Sequence, residues 1–303
     1  MATETLARPV PATATPSARS RTGRSRTGRR MGAGRVAVLA VAALLAILWM
    51  VPFAWATVTA FKSETDAAAP KISWIPPSGF TADAFVKVFQ DGNIPLWTWN
   101  SLYTSAAITA ITLVISALAA YALSRIDFRG KKVLMTVIIA SIIVPPPVLI
   151  IPLFYQMVAL HMIDTSWAII LPQVIHPAMV FVLKKFFDQI PRELEEAAVM
   201  DGASRMRIFL QVILPLSRPI LAAVAIFVFI GAWNNFLWPF IATNDGSVLT
   251  LPVGLQTIKS AYGIQYAQNM ASALLAALPL ILLFLFFQRQ IIKGVATTGL
   301  AGT

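Results

Sequence analysis

The sequence contains no cysteine and very little charge. Zero cysteines exclude a disulfide scaffold, a thiolate zinc site and an iron–sulfur cluster. Only 12% of the 303 residues are Asp, Glu, Lys or Arg, and 57% are apolar. A soluble domain carries about 25% charged residues, so a soluble single-core domain is excluded, as is a disordered or fibrous chain. Six stretches hold no Asp, Glu, Lys or Arg at all: 36–61, 100–124, 133–157, 167–183, 219–243 and 267–288. A hydrocarbon layer about 30 Å thick is crossed by roughly 20 apolar residues in a helix. Backbone amides in hydrocarbon must be paired within the segment. The short alternating strands of a barrel are not seen. The expectation is an all-α membrane protein with six transmembrane helices.

The absence of ionisable groups from these stretches also bears on function. Ion-coupled secondary transporters carry intramembrane charge to bind the coupling ion or relay protons. Many also show internal repeats, and no repeat is found. An ion-coupled transporter or channel is therefore the second reading. A membrane-embedded enzyme would need a clustered nucleophile, acid–base pair or metal site, and none is offered. The two histidines, His161 and His176, stand apart with no carboxylate beside them, so no metal site is expected. His176 precedes Pro177 and reads as a neutral imidazole bonded to a carbonyl that the proline frees.

The charge that is present lies on one side of the predicted topology. The formal net charge is +11, from 24 Lys and Arg against 13 Asp and Glu. Twenty of the 24 basic residues fall in the N-terminal tail, the loops 125–132 and 184–218, and the C-terminal tail. The remaining four are Lys62, Lys71, Lys87 and Lys259. By the positive-inside rule both termini and the basic loops are cytoplasmic, which places the chain in the cell membrane as a multi-pass protein. Residues 1–34 are rich in Ser, Thr, Ala, Pro, Gly and Arg and read as a disordered basic cytoplasmic tail attracted to anionic lipid. No aromatics interleave its arginines, so nucleic acid is not an expected partner. The apolar run after it is longer than a signal-peptide core, which speaks against cleavage. The glycines of 23–30 lack the Lys-Ser/Thr of a phosphate-binding loop. Residues 35–303 form one transmembrane domain.

Polar and aromatic side chains do occur in or near the spans: Asn100, Ser101, Tyr103, Thr104, Tyr155, Gln156, Trp233, Asn234, Asn235, Trp238, Gln268 and Asn269. Amides can bond sugar hydroxyls and aromatic faces can stack on sugar rings. The same residues also serve interhelical hydrogen bonds and interfacial belts. Asn100, Tyr155, Gln156, Trp233, Asn234, Asn235 and Asn269 are the candidates for a cargo pathway. Adjacent Asn234 and Asn235 point in different directions, so one can pack while the other faces a cavity. Pro145, Pro146 and Pro147 must break or kink the third span. Irregular backbone at membrane depth needs protein or a watery cavity over it.

Loop 184–218 has the most definite local pattern. Pro191 marks a helix start, and Glu193, Glu195 and Glu196 suit its positive end. Leu194, Ala197, Ala198 and Met200 give an apolar, small-residue face, and Gly202 ends the helix. Ser204 is placed to cap a second helix through Gln211, which Leu214-Pro215 stops. Such a knuckle suits a cleft on a cytoplasmic partner.

Glu196-Ala197-Ala198, three residues, Gly202, nine residues and Val212-Ile213-Leu214-Pro215 resemble the E-A-A-x3-G-x9-I-x-L-P signature of ABC importer permeases. Val212 stands in the place of Ile. The run Ile190-Pro191-Arg192-Glu193-Leu194-Glu195-Glu196 and Asp201-Gly202-Ala203-Ser204 is similar to the carbohydrate branch, of maltose and glycerol-phosphate type. So are Asn100-Ser101-Leu102, Ala119-Ala120-Tyr121-Ala122-Leu123-Ser124-Arg125, Ile151-Pro152-Leu153, Trp233-Asn234-Asn235-Phe236-Leu237-Trp238-Pro239 and Thr250-Leu251-Pro252-Val253-Gly254-Leu255. The likeness covers roughly residues 95–290. Two departures are Asn235, where relatives often have Asp, and a tail 299–303 without the usual basic residue. The resemblance implies the type I ABC importer permease fold and a sugar-importing assembly. Its parts would be a second homologous permease, an ATPase dimer that binds the ATP, and an extracytoplasmic solute-binding protein. This chain would hold no cofactor of its own. Glu196, Ala197, Ala198, Asp201, Gly202, Leu214 and Pro215 would be the ATPase-coupling residues. The external segments 62–99 and 244–266, with Glu64, Asp66, Asp83, Asp91 and Asp245, would meet the binding protein.

Overall fold

The computed structural model describes residues 33–258 and 264–299. The tail up to residue 32, residues 259–263 and residues 300–303 lie outside them, so the expectations placed there carry no structural statement. Among the described residues the regular structure is entirely helical. By contacts the chain divides at Val51/Pro52 into two units. The first helix, α1 (Ala33–Ala60), runs through that boundary. It begins two residues inside the predicted tail.

Six apolar stretches map onto three unbroken and three broken elements. Besides α1, the unbroken helices are α2 (Ile94–Arg125) and the last helix, Tyr266–Gly299. The third stretch becomes α3 (Lys131–Ile143), a 3₁₀ turn at Pro146–Leu149 and α4 (Ile150–Ala159), bent by 98°. Three consecutive prolines supply no N–H donors, and Val144 and Pro145 are extended, so the helix cannot continue. The fourth stretch is α5 (Ser166–Ile170), a 3₁₀ turn and α6 (Pro177–Asp188), bent by 46° where His176 adopts the extended backbone that precedes a proline. The loop from Ile190 carries α7 (Glu193–Met200) and α8 (Arg205–Ile208). The fifth stretch is α9 (Arg218–Trp233), a break at Asn234–Phe236 and α10 (Leu237–Ala242). A short α11 (Leu251–Thr257) precedes the last helix, α12.

The limb after α8 departs from expectation. Leu214-Pro215 does not stop it. A π-helical turn at Phe209–Ile213 carries the chain through to Leu216, and the 79° bend comes at Ser217 before Arg218-Pro219. The wide turn accommodates a proline that has no N–H to give to the residue four back.

Helix α2 is the centre of packing. Its 32 residues span about 48 Å. Toward its Arg125 end, Ile108, Ala117, Ala120 and Tyr121 pack with Leu183 and Phe187 of α6, Ile208 and Phe209 of the limb, and Val224 of α9. Toward its Ile94 end, Trp97 packs with Trp233, Leu251, Val253 and Ala267. Trp97 also lies flat against Gly254: a Cβ there would sit 2.2 Å from the indole, and one at Gly92 would sit 2.7 Å from it. These glycines are required by close approach, not by backbone angle.

Breaks free backbone groups, and at the fourth span α2 supplies a partner. Buried Thr112 donates to the Val174 carbonyl at 3.0 Å, beside the break in the fourth span. His176 bonds the backbone of Gln173 in the same turn, as its position before Pro177 predicts. We expect Gly254→Ala to lower stability by about 1–3 kcal/mol through overpacking. Gly231→Ala, in the open interior of α9, should be neutral or stabilising by up to about 1 kcal/mol. Thermal unfolding of the solubilised protein checks both.

Candidate functional site

The predicted coupling residues converge on one knuckle. Helix α7 ends in two backbone bonds, Gly202 N–H to Val199 O and Ala203 N–H to Ala198 O, both 2.9 Å. This is the paired glycine C-terminus that satisfies the last carbonyls. Gly202 has φ +78° and nothing near its missing Cβ, so here the backbone angle demands glycine. Ser204 accepts from Arg207 N–H and caps α8. Pro191 lies just ahead of the helix, which begins at Glu193.

The two faces of α7 differ. Ala198 turns inward onto the core shared with α2 and α6, and Glu195 is half-buried. Glu196, Ala197, Asp201 and Gly202 are exposed, as are Leu194, Val199, Met200 and Met206. Met200 is 87% exposed. The expected pair of surface alanines is therefore split between the surface and the core. Leu214 and Pro215 are half-buried in the limb that carries the knuckle back to α9.

The knuckle is mounted on the Arg125 end of α2. Arg125 is nearly buried. Its Nη2 donates to the carbonyls of Phe187 and Ile190, each at 2.7 Å. Its Nε lies 2.6 Å from Glu195 Oε1 of α7, with both side chains shielded. Tyr121 donates to the Arg205 carbonyl at 3.3 Å. Ser124 donates to Asp188, which also receives Lys184 at 2.6 Å.

The pathway candidates separate into two groups. Asn100 is buried, and its amide gives both hydrogens to loop carbonyls, Ser247 and Leu249, at 2.9 Å. Trp233 is buried, and its indole donates to Ala276 O at 3.2 Å. Asn235 donates to Gln173 Oε1 at 2.6 Å and accepts from Trp238 N–H. These three hold helices together. Asn234 ends α9 and is exposed, so the two adjacent amides differ in exposure at a helix end. Tyr155 and Gln156 are exposed on α4, and Asn269 is exposed on α12. Asn269 lines a hollow of about 360 Å³ together with Phe236, Gln256 and Ser272. Sequence reasoning missed Phe236, Gln256 and Ser272. The break after Trp233, which turns Phe236 out of the helix, has no proline to announce it.

Four of the five acids expected to face a partner are occupied within the chain. Glu64 receives the N–H groups of Ala267 and Gln268 and caps α12. Asp91 accepts from the Gln268 amide at 3.1 Å. Asp66 accepts from Ser78, whose hydroxyl holds the carboxylate below its ordinary range. Asp245 accepts from Ser247 N–H. Asp83 lies in the first turn of the short helix Asp83–Asp91. Nearby, Lys62 sits over the Trp55 ring and donates to Ser73 O, and Trp55 meets Trp74 edge-on. No group of three His, Asp or Glu placed to hold a metal occurs among the described residues.

Apolar helices, broken and unbroken, long enough to cross a membrane, with an exposed knuckle bonded to the Arg125 end of α2, define a multi-pass membrane component. Residues 112–295 match the family described as binding-protein-dependent transport system inner membrane component. The arabinooligosaccharides transport system permease protein AraQ of Halalkalibacterium halodurans is 34% identical over 263 residues, covering 86% of this chain and 94% of that one. The trehalose/maltose transport system permease protein MalG of Thermococcus litoralis is 32% identical over 274 residues, covering 88% and 97%. A solved bacterial ABC transporter involved in the import of the acidic polysaccharide alginate shares the fold. Its TM-score is 0.74 at 21% identity, over 86% of this chain and 98% of that chain. The chain belongs to the binding-protein-dependent transport system inner membrane component family and is an ABC importer permease subunit of type I fold.

Replacing Gly202 by alanine should cost about 1–2 kcal/mol at the turn, because an L-residue is forced left-handed. Limited trypsin cleavage at Arg205 and Arg207 of the solubilised protein should then be faster than in Gly231→Ala.

Proposed function

We propose that this chain carries a carbohydrate through the membrane as one of two permease subunits, in an assembly powered by a cytoplasmic ATPase dimer and loaded by an extracytoplasmic solute-binding protein. The chain performs no reaction of its own, and ATP is held by the ATPase subunits. Both termini and the knuckle are cytoplasmic. The 20-to-4 distribution of Lys and Arg supports this orientation. Basic residues of the tail add attraction to anionic lipid.

The observation that carries the reading is the knuckle. It joins a glycine-locked end, an exposed apolar and acidic face and a buried mount, which is what a lever requires. A partner that binds it differently in two nucleotide states shifts the permease between conformations. The sugar-transporting relatives support the cargo class. The hollow at Phe236, Gln256, Asn269 and Ser272 offers an aromatic face among amides and a hydroxyl, the combination that sugar rings and hydroxyls use. Its volume lies at the small end of ligand sites. Asn234, Tyr155 and Gln156 extend the pathway, while Asn100, Trp233 and Asn235 keep its frame.

In proteoliposomes holding the whole transporter, Glu196→Lys should cut ATP-dependent sugar uptake about tenfold with membrane insertion intact. Wild-type uptake in that variant would refute the lever. Asn269→Leu should raise the sugar concentration for half-maximal uptake about tenfold, the loss of roughly one hydrogen bond. Unchanged uptake would remove Asn269 from the pathway. Uptake that collapses with the proton gradient at constant ATP would favour the ion-coupled alternative.

A further inference from the structure

The geometry points to α2 as a tie-rod that joins the ATPase-facing knuckle to the loop 244–251 at the opposite end, with Arg125 as the positioning residue of the inner joint and Asn100 with Ser101 as the outer joint. This inference rests on the orientation and partners proposed above and adds the route by which the two faces are linked.

Both joints have the same build. At the inner end one guanidinium binds two carbonyls at the end of α6 and one carboxylate of α7. The two carbonyls are held by hydrogen bonds and the carboxylate by an ion pair, all to one guanidinium shielded from water. Tyr121 adds a bond to the start of α8 and packs its ring 5.0 Å from Phe209. At the outer end Asn100 grips Ser247 O and Leu249 O, and Ser101 Oγ accepts Leu251 N–H at 2.8 Å. Trp97 donates to Gly246 O at 3.3 Å. Both anchoring sets are one helical turn long, and each includes bonds to backbone carbonyls, at the inner end those of Phe187, Ile190 and Arg205, beside the ion pair with the Glu195 side chain.

Between the joints α2 has no proline beyond its first turn and no break. The third and fourth spans are bent at breaks, and the fifth is interrupted at Asn234–Phe236. A displacement of α7 relative to α6 would pull Glu195 away from a buried guanidinium and leave both charges unpaired, which is costly. The knuckle therefore moves with α2, and α2 carries loop 244–251 with it. Among the spans tied to the knuckle, α2 alone reaches that loop without a hinge.

The absence of native cysteine allows a direct test. Spin labels are placed at Arg207→Cys on α8 of the knuckle, off the exposed face of α7, and Leu102→Cys near the outer joint, both exposed positions. Their separation is measured by pulsed electron paramagnetic resonance in the reconstituted transporter, without nucleotide and with a non-hydrolysable ATP analogue. The tie-rod predicts one unchanged distance in both states. It also predicts that adding Glu195→Gln broadens the distribution and lowers binding-protein stimulation of ATP hydrolysis about tenfold. A nucleotide-dependent change of distance in the cysteine pair alone, with hydrolysis still stimulated, overturns the inference and leaves the proposed function standing. A distribution unaffected by Glu195→Gln overturns the role of the inner joint. Failure of any ATPase to co-purify with the chain would instead count against the proposed function.

Discussion

The structure depends on one constraint: a backbone group freed at membrane depth must find a partner other than water. Three of the predicted spans are broken, and each break leaves carbonyls without their helical donors. Helix α2 answers part of this with a row of side chains. Thr112 serves Val174 beside the break in the fourth span, while Asn100 and Trp97 serve loop residues 246–249 and Arg125 serves Phe187 and Ile190 at the end of α6. At the break in the fifth span Asn235 itself accepts Trp238 N–H. The unbroken helix thus supplies donors to irregular backbone at three levels, and its polar residues are placed where those carbonyls lie.

Much of the fold was legible before any coordinates, because charge exclusion is a strong signal. An apolar stretch of about 17–25 residues without Asp, Glu, Lys or Arg has few other uses. Pro145, Pro146 and Pro147 told where the third span breaks, since a missing donor has only local remedies; at Pro177 the sequence told of a freed carbonyl but not of the 46° bend. The break at Asn234–Phe236 was not legible. No proline or glycine marks it, and it depends on Asn235 meeting Gln173 from a distant part of the chain. Pro215 misled in the opposite direction, because a π turn absorbed it.

The site was legible in its covalent pattern and less so in its orientation. Gly202 could be assigned from the sequence because a left-handed position after an acidic, alanine-rich helix has one favoured occupant. Which alanine faced out required the mount, and the mount is Arg125, 70 positions from Glu195. Polar residues within spans were ambiguous for the same reason. An asparagine amide suits a sugar hydroxyl and a neighbouring carbonyl equally well. Asn100 and Asn269 differ only in what the fold brings to them. The acids Glu64 and Asp91 read as surface charge and prove to fasten the start of α12.

Family membership makes this an inner membrane component of a binding-protein-dependent transport system, and in the function proposed here the knuckle carries mechanical work supplied by others. Cavity, hinge and lever need different materials, and the chain separates them: amides around a hollow, prolines at bends, and an arginine-anchored helix at the coupling face. Hydrogen exchange followed by mass spectrometry on wild type and Arg125→Gln tests the central claim most directly. The account predicts faster exchange in residues 186–202 while residues 104–121 of α2 stay as protected as in wild type. Unchanged exchange at 186–202, or equal loss of protection along α2 itself, would contradict it.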